Sequence, residues 1–521
     1  MPEKSSYFLT TAIDYPNSRP HIGTAFEKLG ADVQVRFQRM EGKKVTFLMG
    51  NDENTIKVAR RASELGSDTQ EYCDRMAKEF RDVWDRLDIS YDDFIQTSEE
   101  RHHIGCRKFI QKVYDNGYIY KGSYEGLYCE GCEEFKTETA IKDAGGVCPN
   151  HKTPPIKRSE PCYFFALSKF RDRLLNFYRD HPDFIQPESR RNEIIAFVEQ
   201  ELLDVNISRT GQKWGIRIPF DEEFTIYVWF DALINYISAI GYGTDETKFR
   251  EWWPADVHVI GKDITRFHCA LWPAMLMAAE LPLPKQVFGH GFVYIKGEKI
   301  SKSMGNVVEP MDLITQFNSE AFRYYFLREC AFPGDGDFSW DRFTTVYNSE
   351  LVNTLGNINS RVVTLILKNF AGELPETASA VPVPVIADFQ VQEFVSEFRK
   401  HVEKFQYNQA LQKLYEKLLL PINKVIEDKA PWKLVKTDRE ATRVLLFNII
   451  DYLRIASILL KPFIPRSAEK LYGGFNFAKP WSQLSFADAV QPGKTDGNLK
   501  ILAEHTDGKI KPMFPRIEEK K

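Results

Sequence analysis

The sequence predicts an α/β architecture: a parallel, doubly wound sheet, interrupted by an insertion bearing a metal knuckle and followed by an α-helical bundle. Three observations predict it. The chain opens as strand, helix, strand; a stretch carrying cysteines and a histidine then breaks that rhythm; and the closing segment is almost wholly helical in pattern.

"SYFLTTAI", residues 6–13, has the length and apolar run of a buried strand. Ile22, Phe26, Leu29, Val33, Phe37 and Met40 then recur at steps of three and four, which predicts an amphipathic helix. "KKVTFLMG" supplies a second strand, and because a helix separates the two they must pair in parallel. Open sheets of this Rossmann-like kind bind ligands beyond the carboxyl ends of their strands, where "RPHIGT" and "GNDENT" both fall. From about 118 to 222, short segments carrying Cys129, Cys132, Cys148 and His151 replace the alternation, which resumes with "FTIYVWF", "DVHVIG" and "KQVFGHGFVYI". Beyond 350 come "ELVNTLGNINSRVVTLILKNF", a Pro-containing linker "ELPETASAVPVPV", and helical stretches ending in "REATRVLLFNIIDYLRIASILL". The expected divisions are therefore 1–117 and 223–296 for the sheet domain, 118–222 for the insertion, 297–350 for a loop and linking region, and 351–521 for the helical domain and tail.

At 521 residues the chain exceeds the size at which a single core stops growing. Its formal charge of -4 balances 69 Lys and Arg against 73 Asp and Glu, so a polyanion has to be met by local patches rather than by the field of the whole molecule. No apolar run approaches the roughly 18 residues that span a bilayer. "MPEKSSYFLTTAI" lacks a basic-then-apolar leader, so a membrane role is excluded and the cytoplasm is the expected compartment. Eight cysteines are too sparse for a disulfide framework. Cys129-x2-Cys132-x15-Cys148-x2-His151 has instead the spacing of two metal knuckles. It predicts a closed tetrahedral zinc site, structural because no position is left for substrate water. Cys162 is a fifth thiol nearby, read as a small semi-buried residue.

Pro20 suits a first helical position, where unpaired backbone N–H groups make an anion seat that His21 can complete and Gly23 lets a ligand approach. Taken alone, this stretch reads more readily as a local turn. Its partner is "GEKISKSMGN", residues 297–306, in which Lys299 and Lys302 flank an apolar Ile300 and serines between glycines. Alone, that is a solvated basic loop; with His21 across the crevice, the two ammonium groups can converge on one triphosphate. Neither a Walker A string nor G-x-G-x-x-G is present.

In this order and setting, "PHIGT" and "KISKS" resemble the HIGH and KMSKS signatures of class I aminoacyl-tRNA synthetases. "TTAIDYPNSRPHIG", "MGNDENTIKV", the knuckle, "YVWFDALINYISAIGY", "VIGKDITRFHCALWPAML", "DKAPWKL" and "PMFPRIE" narrow the resemblance to the methionyl-tRNA synthetases, over essentially the whole chain. The resemblance implies a ligase that activates L-methionine with ATP to methionyl-adenylate and pyrophosphate, then transfers methionine to the 3′ end of tRNA(Met). It also implies one structural zinc and Mg2+ accompanying ATP. Catalytic roles would fall to His21, Gly23, Thr24, Lys299 and Lys302, with Pro20, Glu27, Gly261, Asp263, Ile264, His290, Gly291, Val293 and Ser301 completing the ATP site.

The methionine pocket it implies consists of Ala12, Ile13, Tyr15, Asp52, Trp229, Ala232, Leu233, Tyr236, Ile264 and His268. Aromatic and apolar walls with a weak polar contact suit an unbranched thioether. In the helical domain, Asn357, Arg361, Pro431 and Trp432 would meet the CAU anticodon, an amide, a guanidinium and an indole being suited to reading and stacking splayed bases. Read from the residues alone, Trp229 and Tyr236 also fit one core face of a helix, His268 a satisfied buried histidine, Asp263 an N-cap before "ITRFHCALW", and Trp432 a packing aromatic at a helix start.

Four positions depart from the family pattern. Thr24 stands for the second histidine of HIGH, and "GNDENT" for a usual Gly-Thr-Asp-Glu-His-Gly, so Asn54 replaces another histidine. Leu233 takes a place where proline is common, and Ile300 that of the KMSKS methionine, one apolar anchor for another. A valine, isoleucine or leucine enzyme would need an editing domain larger than this insertion, and a cysteine enzyme would put zinc in its amino-acid pocket. With no room for an appended domain after "PRIEEKK", a monomer is expected.

Overall fold

Six parallel strands form the central sheet of the computed structural model, which describes residues 6–129, 134–136, 138–149, 152–200, 202–299, 308–375, 385–386, 388–502 and 512–517. The strands are β1 (Ser6–Thr11), β2 (Lys44–Asn51), β3 (Asp93–Gln96), β4 (Ile185–Gln186), β5 (Val257–Gly261) and β6 (Val287–His290), in the order β3-β2-β1-β5-β6-β4. Leu9 of β1 sits between Phe47 of β2 and Val257 of β5. Strand order reverses between β1 and β5, so the crevice opens past their carboxyl ends. Phe8 and Leu9, on opposite faces of β1, are both fully buried, as a parallel strand covered on both sides requires. β1 stops two residues short of the predicted span. Beyond it the chain turns into the crevice, where Asp14 N–H donates to Gly50 O and Asp52 N–H to Asp14 O.

Helix α1 (Ile22–Met40) follows the predicted span and buries the predicted apolar stripe, but its polar side, with Glu27, Lys28, Asp32 and Gln34, is buried as well. Every residue from Ala25 to Val35 is buried. Its far face is covered by the later helices: Tyr407 Oη donates to Gly30 O at 2.7 Å, and Arg323 pairs with Asp32 at 2.7 Å. Gly30 cannot be larger, because a Cβ there would fall 2.0 Å from the Phe332 ring.

In the insertion, a long strand Ile119–Cys129 pairs antiparallel with Ile156–Phe165. Part of the 118–222 stretch returns to the central sheet, since β4 pairs beside β6. "FTIYVWF" does not resume the central sheet as the sequence suggested. Asp221–Ile226 lies in a separate antiparallel sheet with Ser208–Thr210 and Arg217–Ile218, and the chain turns at Tyr227 into a short helix, Val228–Ala232. An apolar run signals a strand but not its partner, which is why this assignment failed.

The remainder is largely helical. It includes α2 (Ser319–Glu329), α3 (Asn357–Phe370), α4 (Pro431–Thr437) and α5 (Arg439–Leu460). α2 packs against both α1 and the helix Tyr407–Leu414, so the bundle is seated on the back of the sheet domain. Among the described residues no helix is long and apolar enough to cross a membrane.

Candidate active site

His21 is the N-cap of α1. Its backbone is extended, and its ring Nδ1 accepts the Thr24 N–H at 3.2 Å, with Thr24 Oγ1 3.4 Å away. A cap must stand outside the helix to reach the third helical N–H, so the helix begins at Ile22. Pro20 therefore precedes the cap instead of occupying the first helical position, correcting that expectation. The local-turn reading of His21 and the donor reading coexist, because a neutral ring that accepts at Nδ1 carries its proton on Nε2. Gly23 and Thr24 are half-buried in the first turn, at the mouth of the crevice.

Below this turn, α1 carries a fully buried lysine. Lys28 Nζ donates to Ala12 O at 2.8 Å and to Glu27 Oε1 at 2.6 Å, and pairs with Asp14 Oδ2 at 3.1 Å. The other Glu27 oxygen lies 3.0 Å from His290 Nε2, whose Nδ1 is 2.7 Å from Gly291 O. These contacts tie α1 to the ends of β1 and β6. Burial works to raise Glu27, but Lys28 and His290 hold it below the usual carboxylate value. Burial pushes Asp14 up to about 6 in spite of Lys28. Gly291 has no room for a side chain, since a Cβ would meet Gly334 O at 1.7 Å.

Gly261 ends β5, and the exposed Asp263 lies inside a single turn, Lys262–Ile264, that has no side-chain cap. The N-cap alternative for Asp263 is therefore not realised. Val293 is buried in the strand Val293–Ile295. Lys299 pairs through its backbone with Tyr294, whereas Ile300, Ser301 and Lys302 lie outside the described residues.

The predicted amino-acid pocket gathers beside the crevice. Trp229 stacks face to face on Phe267, with centroids 3.9 Å apart, and meets His268 edge-on. Tyr236 Oη lies 2.7 Å from His268 Nε2, and His268 Nδ1 lies 3.0 Å from Ile264 O. The backbone carbonyl fixes the proton on Nδ1, leaving Nε2 to accept from the tyrosine. Burial lowers His268 to about 4, so the ring is neutral. Ala12, Ala232 and Leu233 are buried, and Ile13 and Tyr15 half-buried. Tyr236 is buried and also stacks on His258 at 4.3 Å, so it packs into the core, but Trp229 and Tyr236 lie on two separate short helices and not on one helix face.

At the polar end, Asp52 is pushed well up by burial and Glu53, and Asp231 by burial and Asp52, with Asn54 beside it. The Asn54 amide donates to Thr97 O at 3.0 Å. Both side-chain atoms of Asn51, Asp52 Oδ1 and Thr11 Oγ1 are buried with no hydrogen-bond partner among the described residues. Buried polar atoms are rarely left so, and a cluster of them at the carboxyl ends of β1 and β2 calls for a polar ligand.

The sequence reading missed Asp14, Lys28, Asn51, Thr11 and Asp231. Asn51 and Thr11 were findable, since they close the two strands whose ends were already singled out. Lys28 was not, because α1 was expected to expose one face.

In the helical domain, Pro431 is the first residue of α4, after Ala430 in a left-handed conformation with φ 41°. Trp432 keeps 39% of its surface exposed, and the Arg361 guanidinium lies 5.2 Å from its ring. Asn357 opens α3, one turn before Arg361. The structure thus brings Arg361 and Trp432, from two helices, together at the surface, with Asn357 one turn away along α3.

In the insertion, Cys129 and Cys148 are both buried. The Cys148 N–H donates to Thr153 O at 2.8 Å, and Cys129 Sγ lies 4.0 Å from Thr153 Oγ1, so one cysteine of each predicted pair contacts Thr153. Cys132 and His151 lie outside the described residues, and among the described residues no group of three or more potential ligands converges.

The fold and crevice are those of a class I tRNA synthetase: residues 7–154 and 146–363 match the family of "tRNA synthetases class I (M)". Residues 375–497 match the "anticodon binding domain of methionyl tRNA ligase". The methionine–tRNA ligase of Caldanaerobacter subterraneus is 42% identical over 99% of this chain and 80% of its own length; that of Streptomyces coelicolor is 41% identical over 99% and 97%. Mycobacterium tuberculosis methionyl-tRNA synthetase in complex with methionyl-adenylate superposes with a TM-score of 0.86 at 36% identity, covering 98% of this chain and all of that one. The chain belongs to the methionyl-tRNA ligase family.

Proposed function

We propose that this chain activates L-methionine with ATP and transfers it to the 3′ end of tRNA carrying a CAU anticodon. The observation that carries the reading is the Tyr236–His268–Ile264 chain with Trp229, standing beside buried, unpartnered polar atoms of Asn51, Asp52 and Thr11 at the sheet's carboxyl edge. A thioether fits the neutral aromatic wall, and an ammonium and a carboxylate fit the polar end. Asp52, raised by burial, would ionise against the methionine ammonium.

In the first step a methionine carboxylate oxygen attacks the α-phosphorus, the bond to the β-phosphate bridging oxygen breaks, and pyrophosphate leaves. In the second, the terminal ribose hydroxyl attacks the adenylate carbonyl and AMP leaves. The phosphoryl step is helped mainly by positioned donors where charge spreads. His21 Nε2–H, held by its capping bond, is one; Lys299 and Lys302 are the others we assign. Glu27 and Lys28 orient α1 against the end of β1 so that the donors keep their places. ATP arrives with Mg2+, which neutralises phosphate charge.

Cys129, Cys132, Cys148 and His151 would hold a structural zinc. The convergence of Cys129 and Cys148 on Thr153 fits that set. Zinc there would fix the fold of the insertion and take no part in either step.

The test is methionine-dependent exchange of labelled pyrophosphate into ATP, followed by charging of tRNA with CAU, on protein loaded with zinc to one ion per chain. A folded, loaded sample that exchanges no pyrophosphate refutes the enzyme reading and leaves a protein that only binds.

A further inference from the structure

Arg323, on α2, is a fully buried guanidinium that belongs to neither the crevice residues nor the Trp432 surface described above. Leaving such a group in a dry interior is costly unless every donor is met. Here all are met. Nε donates to Phe463 O at 2.7 Å; Nη1 to Leu87 O at 3.1 Å and Asp88 O at 3.4 Å; Nη2 to Asp32 Oδ2 at 2.7 Å and Pro462 O at 3.1 Å.

These acceptors belong to three elements, two in the sheet domain and one in the helical domain. Leu87 and Asp88 close the helix Thr69–Arg86 of the sheet domain; Pro462 and Phe463 follow the last turn of α5 in the helical domain; Asp32 lies on α1. One cation thus sits against two helix carboxyl ends, where it is favoured by their dipoles, and on the carboxylate of the helix that His21 caps. Arg36 Nε donates to the same Asp32 Oδ2 at 2.8 Å, and the Ser90 hydroxyl donates to the other oxygen, Oδ1, at 2.6 Å.

The far end of α5 meets α4 directly, since Asp438 both closes α4 and caps α5. α5 has 22 residues, a rod of about 33 Å at 1.5 Å per residue. The chain of rigid parts therefore runs from the helix bearing Trp432, along α5, through Arg323 to Asp32, and along α1 to Lys28, Glu27 and His21.

We infer that Arg323 is a positioning residue that couples occupancy of the Trp432 surface to the setting of α1 in the crevice. This rests on the assignment of Trp432 to the anticodon. Seen from α1, the joint resists displacement of α5: a shift of that rod's carboxyl end must either break two charge-assisted hydrogen bonds or carry Asp32 with it.

A double-mutant cycle on the full-length chain tests it, with Arg323→Lys, Trp432→Ala and their combination assayed for pyrophosphate exchange and for tRNA charging. Distant, independent substitutions multiply in their effects on rate. The expected result is that Arg323→Lys keeps exchange within about twofold, lowers kcat for charging about tenfold without raising KM for tRNA, and makes Trp432→Ala cost far less in kcat than it does in the parent chain. Multiplicative effects of the two substitutions on charging, or an equal fall of exchange and charging in Arg323→Lys, overturn the coupling. Asp32→Asn, which keeps an acceptor but loses the charge, is read the same way if Arg323→Lys does not fold. If Trp432→Ala leaves charging untouched, the anticodon assignment fails and the coupling with it; if Trp432→Ala damages charging while the cycle is multiplicative, the coupling alone is overturned.

Discussion

The crevice and the Arg361–Trp432 surface are built by opposite means. In the crevice, Lys28, Glu27, Asp14 and His290 are linked before any ligand arrives, and each side chain has little freedom left. On the helical domain, an indole is more than a third exposed under an arginine that lies 3.9 Å from Glu427. The difference fits the tasks we propose for them. Charge that develops for an instant is stabilised only by dipoles already in place, so the groups that hold those dipoles have to be buried and bonded to one another. A base that stacks brings its own flat surface, so that site needs only a platform and an open side.

Breaking the buried cluster gives the largest effect on this contrast. Lys28→Met strands Glu27 and Asp14 without their cation, and removing one partner of a buried pair costs about 3–5 kcal/mol. The expected outcome is a matching loss in chemical denaturation and loss of pyrophosphate exchange; unchanged stability would mean the cluster is solvated. Next comes His21→Ala, which removes a donor together with the helix cap. About 3 kcal/mol should be lost in the activation rate, with a further loss of about 1 kcal/mol in stability from the cap, measured by exchange kinetics and melting.

Glu53 sharpens the contrast through pH. Burial raises it to about 7, above its ordinary 4.5, even though Ser98 and Gln96 hydrogen-bond it. A carboxyl favoured neutral in the folded state binds its proton there when the unfolded chain has lost it, so stability falls as pH rises from about 4.5 to about 7. The effect is at most about 3 kcal/mol. Glu53→Gln should flatten this dependence, gaining most relative to the parent at pH 8; an identical pH profile would remove Glu53 as its source.

Trp432→Ala should cost about 1–3 kcal/mol in charging, the worth of one stacked base, while exchange stays intact. Equal damage to both steps would contradict the division of labour. The smallest effect is expected of Thr24→His. The capping bond to His21 comes from the Thr24 backbone, so it survives substitution, and only the ATP dependence of activation should move, by less than in His21→Ala.

Where the sequence was legible, the information was local. The βαβ opening, the start of α1 to within a residue or two and the one-turn separation of Asn357 and Arg361 all depend on residues near one another along the chain. Where it was illegible, the information came from far away. "FTIYVWF" has the composition of a core strand, and only the competing pairing with Ser208–Thr210 put Asp221–Ile226 elsewhere. The two histidines beside Tyr236 show both sides: His268 was singled out by its motif, but the stack of His258 on Tyr236 had no sequence signal.

By itself the sequence determined which segments are strands and helices and which strand ends face the crevice, because periodicity and caps are set by near neighbours. Only the tertiary structure decided that α1 is buried on every side, that Lys28 and Arg323 are enclosed charges, and that Arg361 meets Trp432. The reason is physical. Whether a helix face is wet depends on what packs against it, and the groups that cover α1 lie some three hundred or more positions further along the chain, at Arg323, Phe332 and Tyr407.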